Sequence, residues 1–319
     1  MPGVYILYII IAVIILLLVA VSFWLSNILY KKIFLRDKIH IKFKYLSKGS
    51  KTTSRFNNYI YNNVKEFYFD DIISIPAFDG YNIKAYFRKA NSESKNYIIS
   101  IPGYGTICEK NYGMHAYIYD DLKFNMVYME NRGNPMSPCE HVTMGLQERK
   151  DLLSMINYLI KLKGEDISII LEGSSMGGYM ALSLGDDLPP QVKGIIAESA
   201  YTSVYDELNY ILKRQHIILP MRKLTLWNLN NKVIGNFNVN IKKHNTTEAL
   251  SKCNIPVCLI YSSGDNFVPN EFSLKNKKAC KSECYLFNFP FSKHLYLNFE
   301  HEKLYKSTTY RFIYNCLKD

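Results

Sequence analysis

The chain opens with an apolar segment long enough to cross a membrane. Val4 to Leu25 is apolar at every position except Ser22, and the first thirty residues contain no charged side chain. As a helix this segment measures about 33 Å, against a hydrocarbon core of roughly 30 Å. A cleaved signal peptide is the alternative, but it needs a basic start and a shorter apolar core. We therefore predict an uncleaved transmembrane anchor over residues 1–30.

From residue 65 onward, strand-like and helix-like patterns alternate. EFYFDDIISI and YNIKAYFRK flank an Asp-Gly turn, which predicts an antiparallel hairpin. Later runs are apolar at successive positions, as is typical of strands buried on both faces: NYIISI, FNMVYME, DISIILE, VKGIIAES, IPVCLIY and CYLFNF. Helical patterns lie between them. We predict an α/β domain over 65–319 with a mostly parallel sheet of about eight strands, the first pair antiparallel, and helices on both faces.

One interval interrupts this alternation. Some 55 residues separate the strand ending near Ser199 from the one starting near Ile255, far more than a simple connection needs. The interval contains helical patterns such as SVYDELNYILKRQHIIL and many apolar or aromatic side chains. We interpret about 201–250 as a helical lid over a site, and a peripheral insertion that only adds core is the alternative.

The charge distribution indicates a membrane rather than a nucleic acid as the partner. Residues 31–51 carry eight basic side chains and one acid, which is +7 of the net charge of +11. The rest of the chain is too weakly basic for a nucleic-acid surface. Cations after a first membrane helix favour a cytoplasmic location for that side. We predict a basic juxtamembrane linker over 31–64 and a single-pass protein of the cell membrane with a cytoplasmic catalytic domain.

The segment SIILEGSSMGGYMAL, residues 168–182, contains the candidate nucleophile. Gly173, Ser175 and Gly177 spell G-x-S-x-G directly after a buried strand and directly before a helix. A serine on such a sharp turn projects its hydroxyl above the sheet, and the flanking positions come too close to neighbouring backbone to carry a Cβ. The helix that follows also points its amides at the place where negative charge would develop.

A nucleophilic serine needs a base and a group that orients the base. The acid and then the His are expected in loops after late strands. Asp265 follows the strand ending at Tyr261, and His294 follows the strand ending near Phe289. Glu271 is the alternative acid. Of the other histidines, His301 falls in a helical stretch, and those at 40, 115, 141, 216 and 244 precede the acid.

The transition state of acyl transfer also needs two amide donors for its oxyanion. The amide of Met176, directly after the nucleophile, is the first candidate. The second is the amide of Tyr104 in the loop IPGYGT, because the glycines of this loop allow the backbone to approach a substrate closely.

Residues 65–319 resemble the α/β-hydrolase superfamily, and within it the bacterial, often membrane-anchored hydrolases near the cinnamoyl esterases and serine aminopeptidases. The pieces that carry the resemblance are IPGYGT, ENRGNPMS, LEGSSMGGYMAL, AESAYTS, SGDNFVP and the final KH. Pro102 stands where this family usually has His before the oxyanion-loop glycine, Pro135 replaces a glycine, and Phe291 stands where glycine is frequent.

The sequence therefore predicts a membrane-anchored serine hydrolase that cleaves an ester, thioester or amide of a small molecule through an acyl-enzyme on Ser175. An acyltransferase would use the same triad of Ser175, Asp265 and His294, and a non-catalytic scaffold is a third hypothesis. No cofactor is expected. No metal is expected either, because no His, Cys, Asp or Glu cluster has ligand spacing, and the seven scattered cysteines fit a reducing compartment.

Overall fold

The computed structural model describes residues 2–35, 51–65, 67–90, 93–134, 137 and 139–318. Part of the predicted basic linker lies outside these residues, including Arg36, Lys38, Lys42, Lys44 and Lys48, and so do His40 and Pro135. The boundaries predicted for the anchor, the linker and the domain stay predictions.

Eight strands of the described residues form one sheet. They are β1 (Asp71–Pro76), β2 (Asn82–Arg88), β3 (Asn96–Ile101), β4 (Asn125–Met129), β5 (Ser168–Ser174), β6 (Val192–Glu198), β7 (Val257–Tyr261) and β8 (Cys284–Asn288). Their order is β1-β2-β4-β3-β5-β6-β7-β8. β2 runs antiparallel to both β1 and β4, and the remaining pairs are parallel. The predicted sheet with its antiparallel first pair is confirmed.

Helices flank this sheet on both faces. All helices of the described residues, whether or not they contact the sheet, are α1 (Pro2–Leu29), α2 (Lys51–Val64), α3 (Cys108–Met114), α4 (Glu148–Lys163), α5 (Met176–Leu182), α6 (Val204–Arg214), α7 (Leu219–Phe237), α8 (Thr246–Lys252), α9 (Asn270–Ala279) and α10 (Leu297–Cys316). A π-helical turn, Tyr30–Phe34, continues α1, and a 3-10 helix, Ala116–Leu122, follows α3.

Alternate side chains of the central strands enter two separate hydrophobic clusters. Ile99 and Leu171 belong to the cluster that includes Met155 of α4. The neighbouring Ile98 belongs to the cluster on the opposite face, with Phe312 of α10. Each such fully buried side chain contributes roughly 1.5–3 kcal/mol relative to exposure. The apolar runs of the sequence therefore reflect strands covered on both sides.

The insertion between β6 and β7 forms α6, α7 and α8, with a break where the sequence predicts one helical stretch. α6 ends at Arg214, and His216 adopts a left-handed conformation with φ of 59°. The amide of Ile217 then donates to the carbonyl of Leu212 (3.2 Å), which closes the helix end. Pro220 follows in the first turn of α7, where the missing N–H of proline costs no hydrogen bond.

The apolar helix α1 is exposed along most of its length and packs on α7 near its C-terminal end. The candidate membrane span Val4–Phe34 has a mean hydropathy of 3.3 in its best window, and no residue of that window is buried. Nearer the C-terminal end of α1, the buried hydroxyl of Ser22 accepts a hydrogen bond from the buried Asn228 side chain (2.8 Å). The ring of Tyr30 stacks on Phe237 with centroids 5.9 Å apart. This helix is long and apolar enough to cross a membrane, and it contacts the insertion directly.

The end of the predicted linker is also a helix packed on the domain. Asn63 of α2 donates to the carbonyl of Gly113 in α3 (3.0 Å). A Cβ at Gly113 would lie 2.7 Å from a methyl of Val64, so the two helices pack too closely for a side chain at position 113.

Candidate active site

β5 delivers Ser175 to a sharp turn in front of α5. Ser175 has φ of 54° and ψ of −116°, a conformation that costs a non-glycine residue on the order of 1–3 kcal/mol. Its amide donates to the carbonyl of Glu198 on β6 (2.8 Å). A Cβ at Gly173 would lie 2.5 Å from the carbonyl carbon of Gly177, and a Cβ at Gly177 would lie 2.2 Å from the carbonyl oxygen of Ile101. Backbone contacts therefore require both glycines of the motif.

The structure brings the predicted acid, base and nucleophile together. Asp265 lies in the loop after β7, and His294 lies in the loop after β8. His294 Nδ1 is 2.7 Å from Asp265 Oδ2, and His294 Nε2 is 3.2 Å from Ser175 Oγ. With the imidazole proton on Nδ1, the ring donates to the carboxylate and accepts from the serine hydroxyl. Both contacts fall within the range expected of a nucleophile, its base and the group that orients the base.

The second carboxylate oxygen of Asp265 fixes the orientation of the acid. Oδ1 accepts hydrogen bonds from the amides of Phe267 (2.8 Å) and Val268 (3.0 Å). Burial by itself would raise the pKa of Asp265, but the hydrogen bond and charge of His294, together with these two amides, hold that pKa below its usual range. Asp265 is therefore ionised at neutral pH and ready to stabilise an imidazolium.

The loop after β3 lies directly beside the nucleophile. A Cβ at Gly103 would lie 3.3 Å from the carbonyl oxygen of Ser174 and 3.6 Å from the Cβ of Ser175. Tyr104 follows in this loop, and its hydroxyl donates to the carbonyl of Ile33, at the end of the apolar N-terminal segment (2.8 Å). On the other side of Ser175, Met176 begins α5. Both predicted oxyanion residues thus adjoin the nucleophile in the chain or in space.

Solved structures share this architecture at low sequence identity. No known family model matches the chain. An esterase of Pyrococcus furiosus matches with a TM-score of 0.60 and 16% identity over 80% of this chain and 94% of its own. Est1E from Butyrivibrio proteoclasticus, solved with ferulic acid bound, matches with a TM-score of 0.60 and 16% identity over 77% of this chain and 99% of its own. The chain has the α/β-hydrolase fold. An acylaminoacyl peptidase of Pyrococcus horikoshii shares it as well, with a TM-score of 0.55 and 18% identity over 79% of this chain but 42% of its own.

Two asparagines after β4 hold the loop that carries Tyr104, a role that sequence reasoning missed. The buried Asn131 side chain donates to the carbonyl of Pro102 (2.8 Å). Asn134 donates to the carbonyl of Thr106 (2.8 Å). The two bonds lie on either side of Gly103 and Tyr104, so they set the position of this short stretch. Their place after β4 puts them at the carboxyl edge of the sheet, but the carbonyls that they contact cannot be identified from the local sequence.

A buried arginine fastens the loop that carries these asparagines. Arg132 donates to Asp151 of α4 through Nε (2.6 Å) and Nη2 (2.5 Å), and to Asp79 through Nη1 (2.9 Å). Two parallel charge-assisted bonds to one carboxylate fix both distance and angle. Asp79 lies in the turn between β1 and β2, far from Asp151 in the chain, so this contact could not be foreseen from local sequence.

A second acid and histidine lie buried close to the turn that carries Ser175. His115 Nδ1 is 3.4 Å from Glu198 Oε2, and both side chains are fully buried. Burial raises the pKa of Glu198 to about 8. Burial, followed by the charge of His294, lowers the pKa of His115 to about 3. Near pH 7 His115 is therefore neutral and Glu198 mostly protonated, and the negative charge that contacts His294 is that of Asp265.

The competing acid and base lie in helices rather than beside Ser175. Glu271 lies in the first turn of α9. His301 lies at a kink inside α10, with its ring 5.8 Å from that of Phe289. Among the residues that the structure describes, no group of three or more His, Cys, Asp or Glu side chains could hold a metal ion.

Proposed function

We propose that this protein is a membrane-anchored serine hydrolase that cleaves an ester, thioester or amide bond through an acyl-enzyme on Ser175. The single observation that carries the proposal is the hydrogen-bond chain from Asp265 through His294 to Ser175, with contacts of 2.7 and 3.2 Å. A structural role has no need for a strained serine, an imidazole and an oriented carboxylate in one line.

Each group in this chain has a defined task. His294 Nε2 removes the proton of the Ser175 hydroxyl as Oγ attacks the acyl carbon, and Asp265 stabilises the resulting imidazolium. His294 then gives the proton to the leaving group as its bond to the acyl carbon breaks. Water, deprotonated by the same nitrogen, attacks the acyl-enzyme and releases the acid and free Ser175.

The amides of Tyr104 and Met176 are the proposed donors to the oxyanion. The approach of Gly103 to the Ser175 Cβ and the start of α5 at Met176 support this assignment. Removing one such donor in other enzymes costs on the order of 10²–10³ in turnover. Because the Tyr104 donor is a backbone group, its contribution depends on the position of its loop, which Asn131 and Asn134 hold.

Membrane anchoring is supported by α1 and by the charges that follow it. Lys31 and Lys32 are exposed at the end of the apolar helix, and basic residues on that side favour its retention in the cytoplasm. We therefore propose a single span with the hydrolase domain on the cytoplasmic face. Reporter fusions at the two ends would measure this directly, and a cytoplasmic N-terminus together with an external C-terminus would overturn it.

Covalent labelling of the full chain with a fluorophosphonate, read by intact mass, tests the proposed function. We choose the full chain in detergent because α1 covers part of α7. The Ser175→Ala variant is expected to lose the mass increase. The matched control is Ser174→Ala, which removes a buried hydroxyl from the adjacent position and is expected to keep the label. An unlabelled wild type with native circular dichroism, or a labelled Ser175→Ala, would contradict the proposal.

A further inference from the structure

The contacts between α1 and α7 orient the insertion relative to the apolar helix. Ser22 pairs with Asn228, Asn27 accepts from Lys232, and Tyr30 stacks on Phe237. The numbers rise together along both helices, so α1 and α7 run in the same direction. The N-terminal half of α7 therefore extends toward the exposed apolar half of α1.

The two tryptophans of the chain lie at the level of the first of these contacts. Trp24 and Trp227 are within about 3 Å of the Ser22–Asn228 contact along their helix axes. Their exposed fractions are 62% and 54%. Exposed tryptophan beside an apolar span is characteristic of the membrane–water interface.

Beyond this level, α6 meets α7 in a segment that is both apolar and basic. Leu219 begins α7 nine residues before Asn228. Residues 4–18 of α1 are all exposed, so α7 diverges from α1 before it reaches this segment. We call residues 213–224, KRQHIILPMRKL, the insertion corner. It contains four basic residues and no acid, and Ile218 and Leu219 are exposed, with Ile218 at 65%. Scattered apolar side chains are ordinary on protein surfaces, but this combination beside a membrane helix is typical of a segment that lies in an anionic bilayer surface.

The insertion corner adjoins the acid loop of the proposed active site. Arg214 donates to the carbonyl of Asn266, the residue after Asp265. The exposed ring of Phe267 follows, with its centroid 5.0 Å from that of His294. The corner and the triad base are therefore separated by one short loop.

A further exposed aromatic side chain lies on the loop that carries His294. Phe291 is 89% exposed and has a left-handed backbone with φ of 65°. A Cβ at Gly264 would lie 2.6 Å from the Phe291 carbonyl carbon, so the loop is packed by its backbone while its aromatic ring points outward.

The opposite side of the nucleophile also contacts the apolar N-terminal segment. The Tyr104 hydroxyl donates to Ile33, and Phe237, at the end of α7, stacks on His141 with centroids 4.6 Å apart. The insertion thus contacts the acid loop through Arg214 of α6, and the end of the apolar segment contacts the loop beside Ser175 through Tyr104.

We propose that the insertion corner, Phe267 and Phe291 rest on the bilayer, and that the substrate is a long-chain acyl ester dissolved in the membrane. The acyl chain then reaches Ser175 without crossing bulk water. This inference rests on the proposed function, since it names the substrate class of the same site. Ser175 Oγ takes the acyl group as the ester bond breaks, and the alcohol leaves with the proton that His294 carries. Water then gives one proton to His294 and attacks the acyl-enzyme, which releases the fatty acid as His294 returns that proton to Oγ.

Single-tryptophan variants of the full chain test the position of the corner. Ile218→Trp is combined with Trp24→Phe and Trp227→Phe, and the protein is placed in phosphatidylcholine–phosphatidylglycerol vesicles with brominated acyl chains. The matched control is Leu304→Trp in the same background, because Leu304 of α10 is similarly exposed, at 55%, on the other side of the sheet. Bromine is expected to quench the tryptophan at position 218 and to leave the one at position 304 bright. Equal fluorescence at the two positions would overturn the bilayer contact.

A substrate pair with one leaving group tests the substrate class. Methylumbelliferyl oleate in vesicles is compared with methylumbelliferyl acetate in water. The double variant Ile218→Asn, Leu219→Asn is expected to lower the oleate-to-acetate rate ratio about tenfold, because two apolar anchors leave the bilayer, while Leu304→Asn keeps the ratio. An unchanged ratio with active wild type would overturn the substrate class alone. A wild type that is inactive on both esters but still labelled by the fluorophosphonate would overturn this inference alone, whatever the quenching. One that is also unlabelled would overturn the proposed function and this inference with it.

Discussion

Asp265→Asn is the sharpest test of the proposed mechanism, because the structure dictates which atom the new amide group presents to His294. Oδ1 of Asp265 accepts from the amides of Phe267 and Val268. An asparagine must therefore keep its carbonyl oxygen there and turn its NH₂ toward His294 Nδ1. Nδ1 then has to accept, so the imidazole proton moves to Nε2, which faces Ser175 Oγ. In that tautomer Nε2 cannot take the serine proton.

The expected cost follows from this exchange of donor and acceptor. In another serine hydrolase the same substitution lowers kcat about 10⁴-fold through the wrong tautomer, which corresponds to about 5 kcal/mol of transition-state stabilisation. Geometry stays intact because the asparagine is isosteric and keeps both amide contacts. We therefore expect a loss of that order in turnover of methylumbelliferyl acetate, with little change in KM.

Turnover, fluorophosphonate labelling rate and thermal unfolding are measured together on the full chain. Asp166→Asn is the matched control, because Asp166 is an exposed acid paired with Lys95, remote in the fold from the triad, and wild-type turnover is expected there. A loss smaller than about tenfold in Asp265→Asn, below 1.4 kcal/mol, would refute the reasoning from the two amide contacts. A loss that merely follows a collapse in unfolding temperature would refute it too.

Two further predictions concern residues that sequence reasoning did not identify. Asn131→Ala releases the carbonyl of Pro102, and because removing a buried hydrogen-bond partner costs about 1–3 kcal/mol, we expect kcat to fall about ten- to hundredfold at nearly constant KM. Asn125→Ala, which frees a carbonyl at the other end of β4, is expected to leave kcat unchanged, and equal losses in the two variants would contradict a positioning role. Glu198 has a folded pKa of about 8 against an ordinary 4.5, so the folded state binds the extra proton and stability is lost as pH rises through about 8. Between pH 6.5 and 8 the titration of His115 is common to both proteins, and the wild type is expected to lose up to about 1.4 kcal/mol of unfolding free energy per pH unit relative to Glu198→Gln. Chemical denaturation measures the unfolding free energy of both proteins across this range. An equal pH dependence of that free energy in the two proteins would contradict the raised pKa of Glu198.

The local pattern of apolar and turn residues predicted much of the fold. The apolar runs predict the strands because each central strand is covered on both faces, and the Asp-Gly turn predicts the hairpin of β1 and β2. The insertion shows where pattern fails. Its sequence stays apolar and helical in period across the end of α6, and the break comes from the left-handed His216 and from Pro220, which begins a new helix.

The candidate site divides in the same way. Ser175, Asp265 and His294 could be named in advance because each directly follows a strand, and parallel strands bring their carboxyl ends to one edge of a sheet. Asn131, by contrast, acts through a carbonyl 29 positions away in the chain. The residues near Asn131 in the chain do not indicate which carbonyl it contacts. The catalytic roles of the three triad residues and of Tyr104 and Met176 stay predictions until they are measured.

By itself, the sequence determined the apolar span, the order of buried strands and the strained serine turn, because all three depend on the spacing of residues close in the chain. Only the tertiary structure decided that α1 packs on α7 through Ser22 and Asn228, that Arg132 joins two distant carboxylates, and that Glu198 lies neutral beside His115. These contacts join positions far apart in the chain, and their formation depends on how helices pack once the sheet has set their positions. The proposal that the site faces the membrane rests on contacts of this second kind.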